Sequence, residues 1–350
     1  MLKKYLAVWA LFLLTAGVAR VCGATDLVDP ATLKGTASEN TAEVAMVITT
    51  ATGLDSVNHY IAWKAKHLLE EKSGGRIYAE VYEAGALGGD RENIEGLQNG
   101  TVDFFVTISS AYVPFAPRTG VFDLPNALPD LAVGRETLDS GILDLVRPDY
   151  EAAGFKFFGF SDAGFRQTSS SRPIRNMDDF KGLKIRTMEN PNHMAYWSSL
   201  GANPTPMDFS ELYISLQQGT IDAQENPYDL IVANKLHEPQ KYMIETNHLM
   251  HTLTMNGSKL KYDALPDDLK PVVDAAIREA LDYGRMAADA RIESRKKIIT
   301  DYGCEILTVS PELRREMLSR LDGVYNGIRK SVGADLVDAY LKIIADIEKQ

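Results

Sequence analysis

Hydrophobic and polar positions follow two alternating patterns in the first third of this chain, and their order predicts a parallel α/β fold. Residues 77–82 alternate with a period of two, as in a half-buried strand, and residues 43–49 and 102–107 have strand-like composition. Between them, apolar residues three and four apart over 57–68 predict an amphipathic helix, and a shorter helix should end at Gly100. This βαβαβ order is typical of a parallel sheet covered by helices.

The rest of the chain predicts a second α/β unit and segments that connect it to the first. Residues 155–160 predict an apolar strand, and residues 165–168 a strand that leaves the first domain. A second α/β unit follows, and residues 248–255 predict a strand that returns. Helix-compatible sequence over 269–299 would run along both domains at 1.5 Å per residue. Two helices near 311–325 and 334–348 finish the chain.

We therefore expect two α/β domains joined as a hinged clamp. The predicted organisation is a signal peptide over 1–24, a flexible leader over 25–42, domain I over 43–163 and 252–291, and domain II over 164–251 and 292–350.

The middle of the chain holds the strongest candidate site, because a strand twice leads into a helix start. Residues 183–186 alternate as a strand does, and the next Glu-Asn-Pro run predicts a helix with Asn190 as N-cap and Pro191 as first residue. The same run recurs at 225–227 after a second strand-like segment. Arg186, which is always charged, precedes the first helix start, so this segment predicts a site for an anion such as a carboxylate.

The first 24 residues read as a secretory signal peptide. Lys3 and Lys4 precede an apolar run over 6–19 that is too short to span a bilayer as a stable helix, and small residues follow Cys22. A membrane anchor and a lipoprotein modified at Cys22 are the alternatives. We expect an exported protein.

Composition narrows the range of partners. Removal of residues 1–24 takes away three basic residues and no acid, which leaves 34 Lys and Arg against 48 Asp and Glu, a net charge of −14. This charge argues against nucleic acid and anionic membranes as partners, and it makes the few well-placed arginines more informative. Cys304 is the one cysteine that remains, so we expect no intrachain disulfide and a buried thiol.

The sequence contains no convincing catalytic or metal-binding constellation, and no cofactor is expected. His248 and His251 lie three apart on a predicted strand and should therefore point to opposite faces. No His-Glu-x-x-His, Cys-x-x-Cys or phosphate-cradling loop is present. The run around Ser161 resembles a nucleophile elbow but is one residue too long for Gly-x-Ser-x-Gly.

Several runs, taken in order, resemble the solute-binding proteins of tripartite ATP-independent periplasmic (TRAP) transporters, the DctP family. They are Leu87-Gly88-Gly89-Asp90-Arg91, Gly164-Phe165-Arg166-Gln167-Thr168, Gly182-Leu183-Lys184-Ile185-Arg186 with Glu189-Asn190-Pro191, Pro204-Thr205-Pro206-Met207-Asp208-Phe209, and Asp222-Ala223-Gln224-Glu225-Asn226-Pro227. The resemblance covers most of the mature chain. It implies a two-domain periplasmic binding protein fold of type II-like topology, with a long helix bridging both domains.

The resemblance also implies a function. Such a protein closes over an organic acid in the periplasm and delivers it to the membrane subunits of a sodium-driven TRAP permease, without enzymatic activity. We expect it to act as a monomer.

Four residues match positions that contact the ligand in the family. Arg186 matches the arginine that pairs with the ligand carboxylate, and Asn226 matches an asparagine that helps to hold it. Arg166 matches a second arginine near the acid or a hydroxyl, and Phe209 an aromatic packed on the carbon skeleton. The alternatives are a surface charge for Arg186, an N-cap for Asn226, a hinge salt bridge for Arg166, and burial beneath an Asp-x-x-Glu capping box for Phe209.

The first domain should set specificity. His59 after the first strand, and Thr107, Ser109 and Ser110 after the third, lie where polar ligand contacts are expected, although His59 could equally be a satisfied helix residue. Some relatives that bind sialic acid carry a glutamate where this chain has Ile108, which argues against that ligand.

A sugar acid such as a uronate or aldonate is the preferred ligand, because it suits a polar first-domain wall. A C4-dicarboxylate would use Arg166 for its second carboxylate. An exported hydrolase with Ser161 as nucleophile, and the binding protein of an ATP-driven importer, are the other hypotheses.

Overall fold

The computed structural model describes residues 27–350, so the predicted signal peptide and Cys22 lie outside the described residues. The strands are β1 (Val44–Thr49), β2 (Ile77–Tyr82), β3 (Phe104–Ile108), β4 (Phe155–Lys156), β5 (Phe160–Phe165), β6 (Gln167–Ser170), β7 (Lys184–Thr187), β8 (Asn203–Pro206), β9 (Ala223–Asn226), β10 (Tyr242–Glu245), β11 (Met250–Ser258) and β12 (Glu305–Thr308).

The α-helices are α1 (Val57–Lys72), α2 (Asp90–Asn99), α3 (Leu131–Leu138), α4 (Ile142–Ala152), α5 (Pro191–Ser199), α6 (Leu212–Gln217), α7 (Tyr228–Ala233), α8 (Lys259–Asp263), α9 (Lys270–Tyr302), α10 (Pro311–Leu318), α11 (Asp322–Val332) and α12 (Ala334–Ile347). Short 3₁₀ turns lie at Pro30–Thr32, Ser109–Tyr112, Pro117–Asp123, Met177–Phe180 and Phe209–Glu211.

The strands form two sheets, one at the centre of each domain. The first has the order β2-β1-β3-β11-β4, with β5 also paired to β11, and the second has the order β12-β10-β6-β9-β7-β8. Parallel pairs between β1, β2 and β3 and between β7, β8 and β9 give both domains the α/β character that the patterns predicted. The α/β fold class is thus confirmed.

Strands and one long helix connect the two domains. β5 of the first sheet and β6 of the second are separated by Arg166 alone, and β11 returns antiparallel to β3. α9 contacts α1 in the first domain and α7 in the second, so the predicted bridging helix is present. The C-terminal α12 packs against α3 and α4, so it contacts the first domain although the predicted domain II includes it.

Two arginines of α9 bind carboxylates from both domains. Asp55, just before α1, accepts hydrogen bonds from Arg291 Nη1 (2.8 Å) and Arg295 Nη2 (2.6 Å). Asp229 of α7 accepts from Arg291 Nε (2.9 Å) and from the backbone N–H of Val57 (2.7 Å), which is the first residue of α1. These contacts hold α1 of the first domain against α7 of the second.

The structure corrects several predicted elements. The single strand over 155–160 is wrong: Gly159 adopts a φ of 147°, which breaks the segment into β4 and β5. The helix over 311–325 is also wrong, because α10 ends at Leu318 and α11 begins at Asp322. α3 and α4 were not predicted at all. An Asp130 N-cap starts α3, and its Oδ1 accepts from Val133 N (2.9 Å).

Within the leader, the residues described from 27 onwards lie against α1. The carbonyl of Pro30 is 2.8 Å from His67 Nε2, and the backbone N–H of Thr36 donates to Glu70 Oε2 (2.9 Å). Burial alone would raise the pKa of Glu70, but hydrogen bonds from Lys66 and Thr36 hold it below its usual range. The polar, aperiodic sequence gave no signal for these contacts, because they are made by backbone groups.

Candidate functional site

Two adjoining cavities lie between the domains. The inner chamber, of about 370 Å³, is lined by Ala51, Thr52, Asn58, Asp90, Thr107, Ile108, Arg166, Arg186, Met188, Phe209, Asn226, Leu230 and His251. The outer cleft, of about 600 Å³, shares Asp90, Arg186, Met188 and Phe209 with it and adds Arg91, Glu92, Ala111, Pro114, Phe115, Glu189, Met207 and Asp208. Five of the predicted site residues, namely Arg186, Arg166, Asn226, Phe209 and Thr107, are therefore brought together around the inner chamber.

Arg186 lies in β7 and is almost fully buried. Its Nε and Nη2 donate to the carbonyl oxygen of Met207 (3.0 and 2.7 Å), and its guanidinium lies 5.7 Å from the ring centroid of Phe209. Burial lowers the pKa of Arg186 to about 10, so it remains charged at neutral pH. No carboxylate lies within 4 Å of it in the part of the chain that the structure describes. A fixed, charged fork without an acidic partner can receive a ligand carboxylate.

Arg166, in contrast, is already neutralised. It is completely buried, and it forms an ion pair with Glu225, with Nη2 2.8 Å from Oε1. Burial alone would raise the pKa of Glu225, but Arg166, His193 and His248 hold it well below its usual range. Glu225 is therefore ionised, and the pair adds no net charge to the chamber wall.

The prediction that His248 and His251 point to opposite faces is wrong. β11 begins at Met250, so His248 precedes the strand. The alternation of side chains between the two faces of a strand therefore does not apply to His248. His248 Nε2 lies 2.9 Å from Glu225 Oε2, and His251 Nδ1 lies 2.6 Å from Arg166 Nη1. Both rings therefore reach the same buried ion pair, and burial lowers the pKa of each.

The two Glu-Asn-Pro runs differ in structure. Asn190 is the N-cap of α5, as predicted, and its Oδ1 accepts from Asn192 N (2.8 Å). Asn226 is not an N-cap: it is the last residue of β9, Pro227 is the N-cap of α7, and Asn226 Nδ2 donates to Gln224 Oε1 (2.6 Å). The Asn226 side chain is thus available to the chamber rather than committed to a helix start.

Of the four site residues predicted in the first domain, one lines the inner chamber and three do not. Thr107 lines the chamber and donates to Asp90 Oδ1 (2.9 Å). Ser109 and Ser110 are buried and line neither cavity, and Ser110 donates to Asp123 instead. His59 also lies outside both linings.

His59 is held by two carboxylates. Its Nδ1 is 2.5 Å from Glu83 Oε1 and its Nε2 is 3.0 Å from Asp29 Oδ1. Burial alone would lower the pKa of His59, but Glu83 and Asp29 outweigh it and raise the pKa. His59 is therefore a helix residue whose two ring nitrogens bind protein carboxylates, which is one of the two alternatives that the sequence allowed.

Phe209 is half-buried beside Arg186. Asp208 is the N-cap of the 3₁₀ turn that contains Phe209, and its Oδ1 accepts from Ser210 N (2.9 Å). Phe209 nevertheless lines both cavities, so the cap does not remove its ring from the site.

Sequence reasoning missed four polar lining residues: Thr52, Asn58, Asp90 and His251. Asp90 is the first residue of α2, and burial raises the pKa of its carboxyl. The signal for Asp90 was its position after Gly88-Gly89 at a helix start beside β3. Asn58 and His251 carry no local sequence signal, because only the packing of α1 and β11 brings them to the chamber.

A buried polar network lies behind the chamber and joins the domains. Asp123 of the first domain accepts from Asn190 Nδ2 (2.8 Å) and Asn192 Nδ2 (3.0 Å) at the start of α5. His193 Nε2 lies 3.3 Å from Asp123 Oδ1, and its Nδ1 lies 3.5 Å from Glu225 Oε1, which is an electrostatic contact rather than a hydrogen bond. Burial alone would lower the pKa of His193, but the two carboxylates raise it to about 9.

This network predicts a pH-dependent stability. Because the folded-state pKa of His193 exceeds the usual 6.5, its contribution is complete below pH 6.5 and is lost as the pH rises towards 9. We expect the free energy of unfolding in urea to fall by about 2–3 kcal/mol between pH 6 and pH 9. His59 contributes a loss in the same window, so His193→Gln is the control that isolates His193. Equal pH profiles for wild type and variant would contradict the assignment.

The structure does not support a nucleophilic role for Ser161. The residue is fully buried in β5, and its hydroxyl has no hydrogen-bond partner among the described residues. A Cβ built on Gly284 of α9 would lie 2.5 Å from Ser161 Oγ, so the long helix packs directly over it. Residues 27–350 contain no cluster of metal-ligating side chains and no helix long and apolar enough to cross a membrane. Cys304 is buried and free, as expected.

Comparison with known proteins identifies relatives over most of the chain. Residues 48–331 match the family model for bacterial extracellular solute-binding proteins, family 7. The chain is 32% identical over 291 residues to the 2,3-diketo-L-gulonate-binding periplasmic protein of Escherichia coli, covering 80% of this chain and 86% of the relative.

Two solved structures of similar fold contain different acids. The sugar acid binding protein of Advenella mimigardefordensis in complex with galactonate has a TM-score of 0.84 and 26% identity, covering 86% of this chain and 98% of that one. A TRAP periplasmic solute-binding protein from Shewanella oneidensis with bound succinate has a TM-score of 0.82 and 25% identity, covering 86% and 99%.

Proposed function

This chain belongs to family 7 of the bacterial extracellular solute-binding proteins, the TRAP type, and we propose that its ligand is a sugar acid with a single carboxylate. The family accounts for capture of a small organic acid outside the cytoplasm and for its delivery to membrane permease subunits. We further propose that the chain works as a periplasmic monomer, and that Arg186, Asn226, Arg166, Phe209 and Thr107 contact the ligand.

The charges of the inner chamber carry this proposal. Arg186 is the anchor, because it is charged, buried and without an acidic partner among residues 27–350. Arg166 is paired with Glu225 and therefore offers no second free positive charge. A second ligand carboxylate would be desolvated without a compensating charge, which is costly. One carboxylate matches the charge that the chamber supplies.

The remaining polar groups suit hydroxyls. Asp90 lines both cavities beside Thr107, and its carboxyl group can accept hydrogen bonds from ligand hydroxyls in either protonation state. Phe209 offers a ring on which the carbon skeleton can pack. The relative with bound galactonate supports a polyhydroxylated acid, and the relative with bound succinate supports the C4-dicarboxylate alternative.

We also propose that the chain has no enzymatic activity. The hydrolase hypothesis required an accessible Ser161 beside a histidine, and Ser161 is fully buried under α9 without a partner among the described residues. The family and the structural relatives are binding proteins of transport systems.

A thermal-shift screen of the chain without residues 1–24 tests the ligand class. Aldonates, uronates, D-erythronate, succinate, malate, 2-oxo acids and sialic acid are compared at equal concentration, on protein refolded to remove carried-over ligand. A sugar acid at a hundredfold excess over its Kd should stabilise the protein by about 2.7 kcal/mol, and succinate should shift the melting temperature little.

The outcomes separate the alternatives. A larger shift with succinate or malate than with any sugar acid would replace our proposal by the dicarboxylate alternative. A shift of equal size in Arg186→Ala would show that the acid binds outside the chamber. No shift with any acid would remove the proposed ligand class altogether.

A further inference from the structure

His251 was not predicted as a site residue, but it is the side chain of β11 that reaches the inner chamber. It is 2% exposed, and its ring meets Arg166 through Nδ1, which lies 2.6 Å from Nη1. The contact fixes the tautomer of the ring as well as its position, because Arg166 can only donate hydrogen bonds, whereas a histidine nitrogen can either donate or accept.

The Arg166 contact determines the tautomer of His251. A guanidinium has donors only, so Nδ1 of His251 must accept and cannot carry a proton. Burial and the positive charge of Arg166 also lower the pKa of the ring well below its usual range, which keeps it neutral. The single ring proton is therefore on Nε2, and within residues 27–350 this nitrogen makes no hydrogen bond. Because the ring lines the inner chamber, Nε2 is an oriented N–H donor that has no acceptor among the described residues.

An acceptor lines the same chamber. Asn58 Nδ2 donates to the carbonyl oxygen of Val106 (3.2 Å), which orients the amide and leaves Oδ1 as the acceptor. Asn58 is 1% exposed, and Oδ1 is buried without a partner among the described residues. A buried polar atom without a partner costs free energy unless a ligand or water satisfies it. The donor on His251 and the acceptor on Asn58 therefore suit a hydroxyl group, which can accept one hydrogen bond and donate another.

The position of His251 indicates which carbon carries this hydroxyl. His251, Arg166 and Asn226 line the inner chamber and not the outer cleft, whereas Arg186, Asp90 and Phe209 line both. With the carboxylate at Arg186, an oxygen that meets His251 lies within the same inner chamber, on a carbon close to the acid end.

We propose that His251 is a specificity-determining residue, which donates from Nε2 to the oxygen on the carbon next to the ligand carboxylate. The site then selects 2-hydroxy acids, whose hydroxyl can accept from His251 and donate to Asn58, over acids that lack this hydroxyl. The inference rests on the proposed function and narrows its ligand class.

Matched ligands and matched variants test it by titration calorimetry. The ligands are the tightest-binding aldonate of the screen and its 2-deoxy counterpart, which differ only in the oxygen at issue. In His251→Asn, the amide can occupy the place of Nδ1 and accept from Arg166 but lacks a donor at Nε2. In His251→Gln, the amide nitrogen can reach the place of Nε2, but the acceptor for Arg166 is lost.

Wild type should prefer the aldonate about tenfold, the worth of one good hydrogen bond. His251→Asn should reduce that preference to within about twofold, and His251→Gln should retain most of it with weaker binding of both ligands. Melting of the unliganded variants verifies that they fold.

Equal binding of the two ligands by wild type would overturn the inference. So would an undiminished preference in His251→Asn, because a residue that only supports Arg166 would change the affinity for both ligands alike. If no sugar acid of the screen binds to wild type, the proposed function fails instead, and the two failures are distinguishable.

Discussion

Replacement of Arg186 by alanine is expected to weaken binding of the acid by roughly 2–5 kcal/mol, because it removes one partner of a desolvated charge pair. Arg186 is held in place by Met207 and Phe209, so little reorganisation accompanies binding, and within residues 27–350 the guanidinium has no carboxylate partner to return to. Titration calorimetry of wild type and variant with the same acid measures the effect.

Arg175→Ala is the matched control. Arg175 is exposed in the same domain and forms a 3.4 Å pair with Glu305, so its loss changes the net charge equally without touching the chamber. We expect its affinity to stay close to that of wild type. An Arg186→Ala variant with unchanged affinity would show that the carboxylate binds elsewhere.

Arg186→Lys should recover little of the loss. Two guanidinium nitrogens are occupied by the Met207 carbonyl, and the same planar group must present its remaining N–H to the ligand. An ammonium is a point charge on a flexible stem, and it cannot bind the Met207 carbonyl and the ligand carboxylate in one fixed geometry. Wild-type affinity in the lysine variant would mean that charge alone is sufficient at this site.

Elements of the fold could be predicted where the hydrophobic period and the residues that start or end helices and strands indicated the same bounds. β2 was predicted at its observed bounds, and α9 was recognised from its long apolar stripe. α3 and α4 were missed because they follow a segment rich in Pro and Gly, and α4 even contains Pro148. Both helices pack against α12, a contact between segments distant in sequence that no local pattern records.

The candidate site could be predicted only in part. Arg186 and Asn226 stand at the ends of neighbouring strands, and this position is a signal that one sequence can carry. Whether an arginine is free or paired depends on partners that are far apart in sequence. Arg166 meets Glu225 59 residues away and His251 85 residues away. For this reason the sequence left Arg166 open as a second anchor, and only the folded chain assigns its charge to Glu225.

Replacement of Glu225 by alanine is expected to destabilise the unliganded protein by roughly 3–5 kcal/mol, because it leaves Arg166 as an uncompensated buried charge. The substitution removes more than the ion pair with Arg166, because His248 and His193 also lie against this carboxylate. Glu225→Gln should cost less, because its amide oxygen can still accept from Arg166. The midpoint of urea unfolding without ligand measures both.

Glu312→Ala provides the comparison that isolates burial. Glu312 pairs with Arg315 at 3.1 Å, similar to the buried pair in distance, but both side chains are about 70% exposed. Water already screens that pair, so its removal should change the free energy of unfolding by less than about 1 kcal/mol. If Glu225→Ala were as mild as Glu312→Ala, the buried Arg166 would have to be solvated by water, and the chamber wall would then supply a second positive charge. That result would reopen the dicarboxylate alternative, because the case for a single carboxylate depends on Glu225 neutralising Arg166.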